Sequence, residues 1–340
     1  MTQPYPFSAV VGQDQAKLAV ILCAIDPGIG GALIFGPRGT GKSTILRGLA
    51  GLLPPIRQVE DCPLNSEDPG DCPDWTGICS HKIVLAPTPV VDLVPGESAE
   101  GLSGSVETSG PSSTGGMIFR PGQLARANRG YLNIDEANLI AGQVLERLLD
   151  VIRSGENRLD EEGHSIRHTS RFVPMGACDP ADGPVEPDLL GLFGLTARSD
   201  TLRDIDGRVE VIRRRHAHST ETDRFLEDWA PQDARLAAEI AAAREALANI
   251  TVSEMAIRNA AELVRWLELE GHDGETALIR AARALAAYEG ASVVDASHLG
   301  RAAPLALRHR LKDYPLGRSG ACAVEAAVED LFGDFRTAAE

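Results

Sequence analysis

Residues 36–43 read Gly36-Pro37-Arg38-Gly39-Thr40-Gly41-Lys42-Ser43, a G-x-x-x-x-G-K-S pattern, and Thr44 follows. Glycines at this spacing let main-chain N–H groups turn inward around phosphate oxygens, and a helix starting there adds the positive end of its dipole. In that arrangement Lys42 reaches the outer phosphates and the Ser43 hydroxyl ligates Mg²⁺. A second run, Gly130-Tyr131-Leu132-Asn133-Ile134-Asp135-Glu136, is an apolar stretch ending in two carboxylates. Asp135 is suited to the Mg²⁺ shell and Glu136 to polarising an attacking water as general base. Asn133 is the polar residue inside that run, and its side chain needs a partner. A third apolar run, Arg171–Gly176, ends in Ala177-Cys178-Asp179-Pro180. Asp179, the polar residue that closes this run, is a further candidate beside the phosphates. Late in the chain Arg280 and Arg283 lie three apart, hence on one helix face, and Arg280 is read as closing over the nucleotide from a second domain.

The elements that must position these groups follow from pattern. Gly30–Phe35 reads as a short buried strand entering the glycine loop, and Ile45–Leu53 as the helix leaving it. Residues 1–215 hold most of the Gly and Pro between short apolar runs, as in an α/β domain. From about residue 233 the chain is rich in Ala and Arg, with helical periodicity over Asp233–Ala248, Glu254–Glu270, Glu275–Glu289 and Asp295–Lys312. The expected fold is a parallel sheet with helices on both faces (1–215), a polar linker (216–232) and an all-α C-terminal bundle (233–340). Asn157–Ser170 suggests a protruding hairpin. Ser103–Gly116, rich in Ser and Gly, is expected to be a mobile loop, and Glu60–Ser80 a further loop-like insertion.

The 340 residues suffice for about two domains. With 33 basic and 49 acidic residues the net charge is −16, which argues against a broad surface tracking nucleic acid. The longest apolar run, Leu18–Ile25, is far short of the roughly 20 residues of a membrane span. No secretory signal is visible at the start. The expectation is a cytoplasmic protein. Cysteines at 23, 62, 72, 79, 178 and 322 show no C-x₂-C spacing, so they are read as reduced thiols and no structural transition metal is expected.

These stretches together resemble one family, the ATPase (I) subunit of magnesium chelatase, an AAA+ protein of chlorophyll and bacteriochlorophyll biosynthesis. The resemblance runs from about Phe7 to Ala327. It is carried by PFSAVVGQDQAKLA (6–19), DPGIGGALIFGPRGTGKST (26–44), CPDW (72–75), PTPVVDL (87–93), PGQLARANRGYLNIDEANLI (121–140), LLDVIRSGEN (148–157), SIRHTSRFV (165–173), RVEVIRRR (208–215) and IRAARALAAYEG (279–290). It implies a homo-oligomeric, hexameric ring with ATP between neighbours, and insertion of Mg²⁺ into protoporphyrin IX coupled to hydrolysis. It also implies two partners: a companion ATPase-like subunit with an integrin-type domain, and a large porphyrin-binding subunit. By the same match Val11, Gly12 and Gln13 lie beside the adenine, and Gly36, Pro37, Arg38, Gly39, Thr40, Gly41, Lys42, Ser43 and Thr44 hold the phosphates. Asp135 and Glu136 are the paired carboxylates, and Arg280 is the sensor-2 arginine.

The chain departs from the family at a few places. Asp179 stands where the family has Asn, and Gly191 and Leu192 stand where it has Asp and the arginine that reaches a neighbour's nucleotide. Such a finger supplies about 10³–10⁵ in rate where it acts; Arg198 and Arg203 are the next arginines in the chain. Pro174 falls inside the third strand, and Ser103–Gly116 replaces a helix-forming stretch. Leu192→Arg is therefore expected to raise turnover. Two alternatives to the motor subunit stand beside it: an ATP-binding, weakly hydrolysing regulatory paralogue in the same ring, and a MoxR-type ATPase remodelling a partner with an integrin-like domain.

Overall fold

The computed structural model describes residues 4–73, 81–93, 96–108, 117–161, 164–312 and 316–333. The chain divides into two compact units, one formed by Met1–Leu53 with Gly176–Glu340 and the other by Pro54–Met175. Five strands carry the central sheet: β1 (Ala32–Phe35), β2 (Val90–Leu93), β3 (Tyr131–Ile134), β4 (Val173–Cys178) and β5 (Leu195–Arg198). The hydrogen-bonded order is β5-β1-β4 in the first unit and β4-β3-β2 in the second, the division falling within β4. The main helices are α1 (Asp14–Ile25), α2 (Lys42–Gly48), α3 (Gly142–Ser154), α4 (Ile205–Thr220), α5 (Thr222–Leu247), α6 (Glu254–Trp266), α7 (Asp273–Tyr288), α8 (Ala296–Leu307) and α9 (Arg318–Phe332). Among the described residues no helix is long and apolar enough to cross a membrane.

In the first unit β1 is buried along its whole length and pairs in parallel with β5, Ala32 opposite Leu195 and Phe35 opposite Arg198. A strand covered on both faces reads as an unbroken apolar run, which is why Ala-Leu-Ile-Phe shows no alternation. At its end Gly36 turns with φ 148°, and its N–H donates to Cys178 O (3.1 Å). A Cβ at Gly36 would lie 2.0 Å from Ser199 O, so only glycine lets the chain leave the strand there. The C-terminal helices show clear start signals: Ser253 caps α6, and Asp295 with His298 forms a capping box on α8. Helix α7 buries Ala277, Leu278, Ala281, Ala282 and Leu285, the stripe expected of a bundle core.

Residues 216–232, expected to be a polar linker, are helical: they close α4 and open α5, which runs through Pro231. Proline in a helix interior removes one hydrogen bond but does not always end the helix, and this is why the expected start at Asp233 lies eleven residues late.

In the second unit β2 and β3 pair in parallel, Val90 opposite Tyr131 and Leu93 opposite Ile134. The hairpin expected over Asn157–Ser170 is formed by Glu156–Glu161 and His164–Thr169, its central residues 162–163 lying outside the described ones. The loop expected over Ser103–Gly116 is different. Gly104–Thr108 is a strand, antiparallel to Met117–Pro121, and residues 109–116 lie outside the described ones. Low apolar content pointed to a loop, but a two-stranded ribbon needs only its backbone ladder and a buried Phe119 beside Val106, Leu159 and Ile166. Pro174 sits within β4 as the sequence suggested it must.

Candidate functional site

The glycine loop is wound as its motif requires. Gly39 (φ 80°) and Gly41 (φ 94°) take left-handed conformations, and the space beside Gly39 is open. Lys42 begins α2 and is 9% exposed; its Nζ donates to Gly36 O (2.6 Å) and Pro37 O (2.9 Å), so the ammonium lies back along the loop. Thr40 Oγ1 donates to Pro37 O (3.0 Å) and stands 2.8 Å from Ser199 Oγ.

Ser199 links the loop to the N-terminal element. Its Oγ is 2.9 Å from Gln13 Oε1, which also accepts from Asp200 N–H, and Gln13 Nε2 donates to Asp200 O (2.7 Å). Gly12 and Gln13 both have positive φ, 63° and 61°. The structure therefore links Gln13, which follows Val11 and Gly12 in the chain, to the glycine loop through Ser199 at the end of β5. It brings Asp179 there too. Asp179 Oδ2 accepts from the Arg38 N–H (3.0 Å), Oδ1 from Ala181 N–H (3.0 Å), and Asp182 accepts from Arg38 Nε (2.9 Å). Two carboxylates thus hold one residue of the loop by its main chain and its side chain.

Arg280 is not brought to this loop. Its Nη1 lies 3.2 Å from Asp26 Oδ2, beside Pro27–Ile29, the helical turn that leads into the amino end of β1. The glycine loop leaves the other end, about 13 Å away at ~3.3 Å per strand residue. Helical spacing gave the correct helix but cannot reveal which end of a strand the helix crosses. Arg283 is likewise structural, its Nη2 donating to Leu247 O (3.0 Å). The arginine that the C-terminal region places at the carboxyl end of β1 is Arg308, its guanidinium carbon 5.3 Å from the centre of the Phe35 ring. Sequence reasoning missed it; its signal, a basic residue just after a helix, is shared by many solvated residues. Leu192 is 5% exposed, packed after the short helical turn Pro187–Leu190.

In the second unit Asp135 and Glu136 follow β3 directly. Glu136 is held at φ 49°, ψ 45°, a conformation uncommon for a residue with a side chain, and its N–H donates to Asp135 Oδ1 (3.1 Å). A cleft beside them is lined by Leu93, Glu97, Ile134, Leu139 and Val144. Asn133 finds the partner it needs on the neighbouring strand, its Nδ2 donating to Asp92 Oδ1 (2.9 Å) across the parallel register. The same unit holds Cys62 and Cys72 with their sulfurs 3.2 Å apart, a proximity that their ten-residue separation did not reveal. Cys79 lies outside the described residues.

The donor set fits a magnesium nucleotide. A loop of main-chain amides with glycine at its left-handed positions, a lysine laid along it and a hydroxyl next in sequence is the chemistry that recognises a phosphate chain. Comparison with known proteins agrees. Residues 6–67 and 107–186 match the family model "Magnesium chelatase, subunit ChlI", and residues 256–330 match an AAA lid domain. The chain is 47% identical over 332 residues to the magnesium-chelatase 38 kDa subunit of Cereibacter sphaeroides, covering 97% of this chain and 99% of that one. It is 47% identical to the protein of the same name from Rhodobacter capsulatus, covering 97% and 95%. Among solved structures it is similar to a chain from a cryo-EM-based model of the complex between subunits BchI and BchD of magnesium chelatase, at 46% identity, TM-score 0.55 and coverage of 95% and 99%. A putative ATPase from Cytophaga hutchinsonii (16% identity, TM-score 0.63, coverage of 95% and 91%) shares the fold. With nearly half its residues matched over almost the full length of such relatives, this chain belongs to the ChlI subunit family of the magnesium chelatases.

Proposed function

We propose that this chain is the ATPase subunit of a magnesium chelatase, coupling ATP hydrolysis to insertion of substrate Mg²⁺ into protoporphyrin IX. The observation that carries the reading is the glycine loop, intact in sequence and wound with Lys42 along it, in a chain nearly half identical to the 38 kDa subunits. Its partners on this reading are further copies of itself in a ring, a companion ATPase-like subunit with an integrin-type domain, and a large porphyrin-binding subunit. Residues 1–215 serve as the nucleotide-binding domain and 233–340 as the helical lid.

The main chain of Gly36–Thr44 binds the phosphates, with Val11, Gly12 and Gln13 beside the base. Ser43 and Asp135 hold the Mg²⁺ that accompanies ATP, and that ion supplies charge neutralisation at the phosphates. Lys42 turns from the loop carbonyls to the outer phosphates. Glu136 takes the proton of the attacking water as general base. A slower motor is the second reading, and Asp179 favours it: its carboxylate faces the loop amide of Arg38, where an approaching phosphate meets like charge.

The test is ATPase and nucleotide-binding measurement on the purified chain, with and without its two partner subunits and porphyrin. Lys42→Ala abolishes MgATP binding. Glu136→Gln binds it and hydrolyses about 10²–10⁴-fold more slowly. Unchanged affinity in the lysine variant removes the site. Metal insertion by the chain without partners refutes the division of labour.

A further inference from the structure

At the carboxyl end of β1, Phe35 and its register neighbour Arg198 on β5 stand side by side on the sheet. Over the Phe35 ring lies Arg308, the first residue of the helical turn Arg308–Arg310 that follows α8. Arg308 is 5% exposed, and its Nε has no hydrogen-bond partner. Among the described residues its guanidinium makes no hydrogen bond and no ion pair. The nearby charges do not compensate it. Arg198 is a second cation, and Asp200 is engaged by Arg198 at 2.8 Å. Burial, and after it the charge of Arg198, pull the Arg308 pKa below the ordinary arginine value, against a weaker pull from Glu325, Asp200 and Cys322.

A buried cation is tolerated when it is paired and hydrogen-bonded, and is costly otherwise. The ring face of Phe35 offsets part of that cost and satisfies no N–H. The fold thus keeps a guanidinium whose buried Nε lacks an acceptor among the described residues. The place matters. The next residue after Phe35 is Gly36, the first of the glycine loop, and the next after Arg198 is Ser199, whose Oγ is 2.8 Å from Thr40 of that loop.

We propose that Arg308, flanked by Arg198, is a phosphate-recognising subsite, and that its ligand is the phosphate chain of the nucleotide held by Gly36–Thr44. The inference rests on the nucleotide reading above and adds to it the residue by which the C-terminal helices engage the ligand. An Arg fork matches a phosphate's oxygens by two parallel N–H···O bonds, which a lysine cannot reproduce.

The experiment uses the full chain, Arg308→Met and Arg308→Lys, with thermal melting without ligand and affinity for MgADP. Arg308→Met removes an uncompensated buried cation and keeps the volume, so without nucleotide it melts at or above the temperature of the unsubstituted chain. Its MgADP affinity falls about tenfold or more, the worth of one or two charge-assisted hydrogen bonds, and Arg308→Lys falls between. Affinity unchanged in Arg308→Met, while the unsubstituted chain binds, overturns the subsite and leaves the nucleotide reading standing. A lowered melting temperature with unchanged affinity assigns Arg308 to packing and also overturns it. If the unsubstituted chain does not bind MgADP, the nucleotide reading fails and the subsite with it.

Discussion

The two ends of β1 each receive an arginine from the C-terminal helices, and the two are treated in opposite ways. At the amino end Arg280 is 42% exposed at its side chain and meets Asp26, which is 6% exposed and also accepts from the Gly28 N–H (2.9 Å). The packing there is closed: a Cβ on Gly194 would lie 1.8 Å from Ile29 O. At the carboxyl end Arg308 is more deeply buried and meets an aromatic face in place of a carboxylate. One end satisfies its charges within the fold. The other holds a guanidinium whose buried Nε has no partner among the described residues, beside a loop wound for phosphate. A buried cation left unsatisfied beside a ligand loop asks for an explanation that a paired one does not.

The largest effect that would sharpen this contrast is at Leu192, two residues before Gly194 and so on the closed side. The family pattern led to the expectation that an arginine here raises turnover. The structure buries Leu192 at 5% exposure. A guanidinium placed there without a partner costs about 3–5 kcal/mol. Leu192→Arg should therefore lower the urea midpoint strongly in the isolated chain, before any question of turnover arises. A variant as stable as the unsubstituted chain, with faster ATP hydrolysis in the assembled ring, would show that this region opens to a neighbour.

A smaller effect is expected at Asp26. Replacing it with alanine removes the acceptor of the Gly28 N–H and releases Arg280, both exposed enough to be hydrated. The cost is about 1–3 kcal/mol in stability, with MgADP affinity within about twofold of the unsubstituted chain. Equilibrium denaturation and titration calorimetry separate the two quantities. Should affinity instead fall as far as in Lys42→Ala, the amino end would belong to the nucleotide site and the contrast would break.

What was legible in the sequence depended on how local its physics is. The glycine loop, the carboxylates after an apolar strand and the four C-terminal helices are written in contiguous patterns, and the structure has the corresponding elements. The strand at Gly104–Thr108 was not legible, because its pairing with Met117–Pro121 lies across a stretch of Ser and Gly that outweighs Val106. Pro231 hid the start of α5, since the rule that proline ends helices holds only when nothing else supports the turn. The arginines were misread for a deeper reason. Spacing along a helix fixes which face a residue takes, while the end of β1 that the face meets depends on how helices far apart in sequence pack. Arg280 meets Asp26 before β1, and Arg308 lies over Phe35 at its carboxyl end, on that account.

The smallest effect at neutral pH, and the finest probe of the turn that carries Arg308, is at the next residue. His309 is buried between Thr196 Oγ1 (3.2 Å from Nδ1) and Phe193 O (3.0 Å from Nε2). These partners fit a neutral ring that donates from Nε2 and accepts at Nδ1. Burial first, and then the charge of Arg310, push its pKa down to about 3, against the pull of Phe193 O. In the unfolded chain the ring titrates near ~6.5. Between those values the unfolded state binds the extra proton and the folded state does not. Stability is therefore full above about pH 6.5 and falls as the pH drops towards 3. His309→Gln can keep an N–H for Phe193 O and cannot titrate, so it should change little at pH 7.5 and flatten the loss between about pH 6.5 and 5, above the range where carboxylates protonate. Urea midpoints across that interval decide it. An equal slope in both proteins would mean that the folded ring takes up its proton over the same pH range as the unfolded one, and that a turn with Arg308 and Arg310 on either side tolerates a third cation. The excess of positive charge at the carboxyl end of β1 would then be met by a counter-charge within the fold, and Arg308 would have no need of a ligand.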